Sequence, residues 1–256
     1  MQTTFLFIDD TYNEETEFPL SSLTGLLVPA SNYQGVRAAF YDIIRPKPKG
    51  LNLSPLELYF NDFMPHLKDE EKFQIFRRLV QLVISEKLQV LRVGYYVTEL
   101  LRMQLGGDQK LIGLCWMGLL SALGPILQHG LLVPVLDAGF NQSFQPIVHK
   151  FSSMARATDL MRAAGLEESI SIPNSENLGE VVYGDSRYSA FIQLTDIVAG
   201  LRRVSETVRE TGRLPNSEYK AHLLEISKEL EPAMLFERAI AMRHNGEIQG
   251  PKHAAS

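Results

Sequence analysis

FLFIDDTYNEETEFPLSSLTGLLV, residues 5–28, holds two apolar runs separated by a polar segment. Runs rich in Phe, Ile, Leu and Val, bounded by turn-forming residues, are typical of β-strands. We therefore predict strands over Thr3–Ile8 and Leu23–Val28, joined as a hairpin by the loop TYNEETEFPL. The first strand then ends on Asp9 and Asp10, a placement that requires an explanation because adjacent like charges repel each other.

The rest of the chain alternates between helical and strand patterns. The spacing of apolar residues predicts helices over 32–44, 70–86, from about 109, through MARATDLMRAAG, through SRYSAFIQLTDIVAGLRRVSETVRE and over 218–242. Further strands are predicted over 89–97 and 131–136 and at SISI. Strands that alternate with helices indicate a partly parallel sheet covered by helices. We expect an α/β fold with a mixed β-sheet, an N-terminal antiparallel hairpin and flanking helices.

The length of 256 residues suits one α/β domain. We assign residues 1–243 to this domain, with a helical insertion at about 31–86 and a C-terminal helix over 217–243. Residues 244–256, HNGEIQGPKHAAS, are expected to form a flexible tail. The apolar residues of the C-terminal helix suit packing either on the domain or on a second copy, so a homo-oligomer stays an open alternative.

The number of cysteines and the hydropathy of the chain indicate its cellular compartment. The chain has one cysteine, Cys115, which excludes an internal disulfide framework and fits a reducing cytosol. The run Leu111–Leu136 has no charged residue and is long enough to cross a bilayer. Gly124-Pro125 and Gln128-His129-Gly130 interrupt it, so we predict a buried helix, a turn and a buried strand. We expect a cytoplasmic protein without a membrane span, with Cys115 in the core.

Charge is unevenly distributed along the chain. The net charge is −5, and residues 1–36 contain no Lys or Arg but five acidic residues. Such an acidic segment can approach a phosphate backbone only with a cation between them.

Two carboxylates follow predicted strands. Asp9 follows FLFI, and Asp137 follows LLVPVL. If these strands are neighbours, the carboxylates meet at the carboxyl edge of the sheet, where ligands bind in such folds. A divalent cation would relieve their repulsion, and carboxylate oxygens suit Mg²⁺ or Mn²⁺. Asp is also common after strands because it forms turns and caps helices, and spacing alone leaves this choice open.

Asp196 lies inside a predicted helix, roughly 140° from the centre of its apolar stripe. Its neighbours at three- and four-residue spacing are not charged: Ile192, Gln193, Ala199 and Gly200. Small residues beside an acid permit close approach of another segment, so we predict a partly buried carboxylate; a capped loop is the alternative that would produce the same pattern.

GDSRYSAFIQLTDIVAGLRRV, residues 184–204, resembles the C-terminal signature DSKxSxxxQLADLIAG of a mostly bacterial and phage family catalogued as domain of unknown function 3800. The matching positions are Asp185, Ser186, Ser189, Gln193, Leu194, Asp196, Ala199 and Gly200. FIDDTYN resembles that family's YIDESGN, LELYF at 56–60 resembles its EIKF, and LLVPVLDAGF stands in place of its strand ending in Asp. The four matches occur in family order between residue 5 and about residue 203.

The resemblance implies a fold like that of the ribonuclease H and retroviral integrase superfamily. Members use three or four carboxylates to hold two divalent metals, here Mg²⁺ or Mn²⁺, for phosphodiester hydrolysis or transfer. The acids carried over as catalytic residues and metal ligands are Asp9, Glu57, Asp137 and Asp196. The ancillary residues are Asp10, Asp185, Ser186 and Gln193. Arg202 and Arg203 follow one or two turns after Asp196 and would bind substrate phosphate, although a solvated helix end is an equal interpretation.

Departures from the family pattern keep three functions open. Asp10 replaces a Glu, Thr11-Tyr12 replace Ser-Gly, and Asp62 is an alternative to Glu57. The first function is a metal-dependent nuclease acting on nucleic acid, with DNA and RNA undistinguished. The second is a catalytically degenerate fold that serves as a binding or regulatory module. The third is a metal-independent acid/base hydrolase that uses two carboxylates, one of them with a raised pKa.

Overall fold

A computed structural model of the chain describes residues 2–13, 20–44, 60, 67–97, 108–138, 145–150, 152–153, 174–242 and 248–249. Its strands are β1 (Gln2–Asn13), β2 (Leu20–Pro29), β3 (Gln89–Val97), β4 (Gly130–Asp137), β5 (Val182–Gly184), β6 (Met234–Met242) and β7 (Ile248–Gln249). Its helices are α1 (Tyr33–Ile44), α2 (Asp69–Ser85), α3 (Asp108–Ala122), α4 (Gly124–Leu127), α5 (Ala190–Thr211) and α6 (Glu218–Lys228), with residues 145–150 also helical. The helix predicted through MARATDLMRAAG and the strand SISI lie outside the described residues.

The strands form one mixed sheet in the order β5-β4-β1-β2-β3-β6-β7. β2 pairs with β1 on one side and with β3 on the other, and both pairings are antiparallel. β4 is parallel to β1, β5 is parallel to β4, and β6 is parallel to β3. The predicted mixed α/β sheet with an N-terminal antiparallel hairpin is therefore confirmed.

The hairpin is longer than predicted. Pairing continues as far as Asn13 opposite Leu20, so both ends of the expected loop TYNEETEFPL, residues 11–13 and 20, belong to the strands. The prediction that Asp9 ends the first strand is wrong, since four more residues of β1 follow it. Thr and Tyr favour extended structure, and the buried Thr11 pairs with the buried Ser22, which explains the extension.

Helices cover both faces of the sheet. The face covered by α1, α2, α5 and α6, which we call the α5 face, buries Phe7, Leu26 and Val135. The opposite face, which we call the α3 face, buries Leu6, Ile8 and Leu136 against α3 and α4. Side chains alternate between the two faces along each strand. Every second residue of β1 and β4 therefore faces α5.

The uncharged run forms α3, α4 and β4, as predicted. Cys115 is fully buried on the α3 face, which confirms its place in the core, and burial raises the pKa of its thiol. Beside it, the Trp116 indole Nε1 donates a hydrogen bond to the Ser152 hydroxyl at 2.9 Å. No helix within the described part of the chain is both long and apolar enough to cross a membrane.

The C-terminal segment differs from the prediction of a helix over 217–243. α6 ends at Lys228, a short 3₁₀ turn (Glu231–Ala233) follows, and the chain continues as β6. Pro232 cannot extend a helix, and the open edge of β3 offers β6 a full set of backbone partners. The predicted flexible tail is wrong at Ile248–Gln249, which pair with the end of β6.

Candidate functional site

Neighbouring strands bring Asp9 and Asp137 together. β1 and β4 run parallel with Ile8 opposite Leu136, so Asp9 and Asp137 come next on the two strands. Phe7 and Val135, two residues earlier, both lie on the α5 face. The alternation of a strand therefore directs both carboxylates to the α5 face, side by side, while Asp10 is directed to the α3 face.

Helix α5 brings the third carboxylate to the same face. Asp196 accepts a hydrogen bond of 2.7 Å from the Phe60 backbone N–H to its Oδ2. Gly200, one turn later on the same side of α5, lies so close to the Phe60 ring that a methyl group there would overlap it. The predicted close approach of another segment to Asp196 is thus confirmed. We call Asp9, Asp137 and Asp196 the carboxylate cluster.

Asp9 is the most strongly perturbed member of the carboxylate cluster. Burial is the largest cause that raises its pKa well above the ordinary value for an aspartate. The negative charges of Asp196, Asp10 and Asp137 raise the pKa of Asp9 further, in that order. Arg92 acts in the opposite direction but does not compensate. The carboxylates therefore lie close enough to oppose one another's ionisation.

The pKa of Asp196 is also raised, to about 6, chiefly by burial. The Phe60 N–H and the positive charge of Arg203 oppose this shift, whereas Asp137 and Asp10 add to it. The pKa of Asp10 is raised for the same first reason, burial, with Asp137 contributing. The carboxylate cluster is thus an environment that disfavours negative charge at neutral pH.

The predicted ancillary residues divide into two groups. The Ser186 backbone N–H donates to Asp137 Oδ1 at 3.3 Å, and the buried Gln193 amide donates to the Ser186 carbonyl at 2.6 Å. Both residues therefore support the position of Asp137. The Asp185 carboxylate instead forms an ion pair of 2.6 Å with Arg187 on the surface, and the hydrogen bond from the Arg187 side chain lowers the pKa of Asp185.

The two predicted substrate-binding arginines have different surroundings. Arg202 is buried and forms ion pairs of 2.6 Å with both Glu231 and Glu237. Its guanidinium is therefore already paired with carboxylates, and this arrangement gives no support to the predicted substrate-binding role of Arg202. The Arg203 guanidinium lies 6.0 Å from the centre of the Phe60 ring, and its charge reaches Asp196. A phosphate-binding role for Arg203 stays a prediction.

A row of polar residues that the sequence interpretation missed extends from Asp9 across the sheet. Asp9 stands opposite Thr24, Thr24 opposite Arg92, and Arg92 opposite Glu237 on successive strands. The fully buried Arg92 donates to the Thr24 hydroxyl at 2.6 Å and to Glu206 of α5 at 2.9 Å. A single charge within the apolar strand QVLRVGYYV was the signal that could have revealed it.

Hard carboxylate oxygens are the donors that Mg²⁺ and Mn²⁺ prefer, so the chemistry of the carboxylate cluster fits such a cation. The arrangement is not a complete ligand set, since no group of three or more His, Cys, Asp or Glu side chains among the described residues could hold a metal ion. Glu57 and its alternative Asp62 lie outside those residues.

No family model, curated protein or solved structure matches this chain. The family resemblance drawn from the sequence motifs therefore stays an expectation. The chemical arrangement of the site is the basis on which function can be argued.

Proposed function

We propose that the protein is a divalent-metal-dependent phosphodiesterase, a nuclease, with a ribonuclease H-like fold. Asp9, Asp137 and Asp196, together with Glu57, would hold Mg²⁺ or Mn²⁺. The observation that carries this proposal is the convergence of carboxylates from β1, β4 and α5 at a place where burial and the neighbouring negative charges raise the pKa values of Asp9 and Asp196. The antiparallel run β1–β2–β3 beside the parallel strands β4 and β5 supports the proposed fold.

Turn formation alone does not explain this convergence. Asp9 and Asp196 are 187 positions apart in sequence, and Asp9 lies inside a strand where no turn is needed. Bringing such charges together under burial costs stability unless a positive charge compensates for them. When bound, a divalent cation would offset that charge, act as a Lewis acid toward a phosphate oxygen and lower the pKa of a water ligand.

The surrounding groups of the protein orient the carboxylates. The Phe60 N–H holds Asp196, and the Ser186 N–H, itself positioned by Gln193, holds Asp137. Hydrogen bonds to a carboxylate favour its charged form and restrict its rotation. Arg203, whose charge reaches Asp196, would meet the phosphate of a substrate. These contacts prepare an anionic site that Arg203 borders on the side of Asp196.

Calorimetric titration of Mn²⁺ tests the site directly. We expect binding by the wild type and at least tenfold weaker binding by Asp9→Asn, Asp137→Asn and Glu57→Gln. Asp185→Asn is the matched control, since its carboxylate is paired with Arg187 on the surface. The same variants should lose cleavage of single- or double-stranded DNA or RNA in the presence of Mn²⁺. Equal Mn²⁺ binding by the wild type and Asp9→Asn would contradict the proposed site.

A metal-independent acid/base hydrolase is the second candidate, favoured by the raised pKa of Asp9. A buried carboxyl with a raised pKa can act as a general acid beside an ionised partner. This candidate predicts hydrolysis of a glycoside or another small substrate in excess EDTA, with activity lost in Asp9→Asn. Cleavage of nucleic acid that requires Mn²⁺ and stops in EDTA would exclude it.

A further inference from the structure

A cavity of about 540 Å³ lies beside the carboxylate cluster, between the second half of α5, the segment 212–217 and α6. Its described lining residues are Phe60, Arg203, Val204, Thr207, Val208, Arg213, Leu214, Pro215, Asn216, Tyr219, Lys220 and Leu223. Phe60 and Arg203 belong both to this lining and to the surroundings of Asp196. The cavity, which we call the basic cavity, is therefore adjacent to Asp196 of the carboxylate cluster.

The lining of the basic cavity combines positive charge with apolar surface. Arg203, Arg213 and Lys220 contribute three cations, and no acidic side chain occurs among the lining residues that the structure describes. The positive charge of this lining is opposite in sign to the chain's net charge of −5 and to the charge of the adjacent carboxylate cluster. A ligand that fits here has negative charge and an apolar or aromatic portion.

Tyr219 and Leu214 belong to the apolar part of the cavity wall. The Tyr219 ring packs against Phe73 on α2, with 5.1 Å between ring centroids, which holds the tyrosine in place. Leu214 is 82% exposed and adds apolar surface to the cavity wall. A planar base can pack against such surfaces while its phosphates meet the arginines and the lysine.

We propose that the basic cavity binds a single-stranded segment of nucleic acid next to the phosphodiester presented to the carboxylate cluster. The proposal rests on the proposed nuclease function and names its substrate class. Contact with Tyr219 and Leu214 requires an unpaired base, because stacking within a duplex covers both faces of each base. The volume lies within the range of about 300–1,000 Å³ that suits small-molecule pockets, which admits a nucleotide and its phosphates.

Fluorescence anisotropy in EDTA, where no metal supports cleavage, tests the proposal. The probes are fluorescein-labelled 12-nucleotide dT and rU strands and a DNA duplex of the same length. We expect the wild type to bind a single strand at least tenfold more tightly than the duplex. Comparison of the affinities for the dT and rU strands shows whether the cavity prefers single-stranded DNA or single-stranded RNA.

The test compares two double variants, each of which changes two cationic residues to Glu, either in the basic cavity or elsewhere on the surface. Arg213→Glu/Lys220→Glu should bind the single strand at least tenfold more weakly. The slope of log K against log [salt] should become less steep by about 1.4, which is about 0.7 for each lost phosphate contact. Arg77→Glu/Lys228→Glu, which changes two exposed cations on α2 and α6, is the matched control and should bind nearly as the wild type does. Circular dichroism melting checks that each variant is folded.

The outcomes separate this inference from the proposed function. Equal single-strand affinity in the cavity variant and its control, or equal binding of duplex and single strand by the wild type, overturns the inference. If Mn²⁺-dependent cleavage is then still lost in Asp9→Asn, the proposed nuclease function stands without the basic cavity. Cavity-dependent binding of single strands by a protein that cleaves none of them supports the inference and rejects the nuclease.

Discussion

Asp196 is held by a hydrogen bond while its surroundings oppose its charge. The Phe60 N–H stabilises the ionised carboxylate, but burial and the neighbouring acids raise its pKa to about 6. At pH 8 the side chain is therefore ionised at a cost in stability. In the absence of a bound cation, the negative charge of Asp196 should destabilise the folded protein, and variants can measure the effects of the charge and of the hydrogen bond separately.

The first prediction concerns two substitutions of Asp196 in EDTA at pH 8. Asp196→Asn removes the charge but retains an oxygen for the Phe60 N–H, so the free energy of unfolding should rise by about 2 kcal/mol. Asp196→Ala removes the acceptor as well, and the unpaired N–H should cost about 1–3 kcal/mol relative to Asn. Urea unfolding measures both values. An Asn variant less stable than the wild type would show that repulsion is not the dominant effect.

The second prediction is the pH dependence of that difference. The folded pKa of Asp196 is about 6 and its ordinary value is 3.8, so the folded state binds the proton more tightly. Wild-type stability should therefore fall as pH rises from about 4 to 6, relative to Asp196→Asn. The advantage of the Asn variant should be full at pH 8 and nearly absent at pH 4. A constant difference in urea unfolding across this range would contradict the assignment.

The third prediction concerns Gly200, where the Phe60 ring occupies the place of a side chain. Gly200→Ala should lower stability by about 1–3 kcal/mol and weaken Mn²⁺ binding, because the ring and its N–H must move away from Asp196. Gly35→Ala on α1 is the matched control, since a methyl group there meets no atom within 4 Å. The control should be unchanged or more stable by about 0.5–1 kcal/mol. Thermal melting and calorimetry measure the two effects.

At the scale of the element, α5 joins the site to the opposite edge of the sheet. Its first half carries Asp196, and its second half carries Glu206, which meets Arg92 of β3, and Arg202, which meets Glu237 of β6. These ion pairs are buried or nearly so. Removing one partner of such a pair leaves an uncompensated buried charge. The ion pairs therefore fix the position of α5 on the sheet together with the packing of its apolar stripe.

The fourth prediction follows from the Arg92–Glu206 pair. Arg92→Met should destabilise the protein by about 3–5 kcal/mol, because Glu206 stays buried with a more distant partner, Arg209 at 3.7 Å. The double variant Arg92→Met/Glu206→Leu should be more stable than Arg92→Met alone, since it removes both charges. Urea unfolding of the two single variants and the double variant completes the cycle. Additive losses would indicate that the two residues are not energetically coupled.

Element type could be predicted where one local pattern dominated. The hairpin, α2 and β3 followed from their periodicity, as did the division of the uncharged run into α3, α4 and β4. The prediction of a helix over 234–242 was wrong because the residues of this segment suit either helix or strand. The free edge of β3 favoured the strand. The partner strand lies about 140 residues earlier, beyond the range of any local pattern.

At the scale of the whole molecule, the strand order produces the site. β1 lies between β2 and β4, so Asp9 has the parallel strand β4 on one side and the antiparallel strand β2 on the other. α5 crosses the face above them and adds Asp196. The carboxylate cluster therefore exists only in the folded chain, and a cation that requires it should stabilise the folded state.

The fifth prediction is a rise in melting temperature with Mn²⁺. A cation present at about 100 times its Kd stabilises a folded protein by about 2.7 kcal/mol, which corresponds to about 5–10 °C for a chain of this size. Differential scanning fluorimetry of the wild type should show this rise. Asp9→Asn should show none, whereas Asp185→Asn should respond as the wild type does. The same rise in all three proteins would place the cation elsewhere.

The sequence by itself determined the hairpin, the mixed α/β character, the burial of Cys115 and the small-residue surroundings of Asp196. These features follow from local sterics and from the period of two or 3.6 residues, which act within a short window. Only the tertiary structure decided that Arg202 is buried while Arg203 approaches Asp196, and that Arg92 extends a polar row from Asp9. The burial and the charge partners of a residue depend on strand order and helix placement, which bring together residues that are distant in the chain.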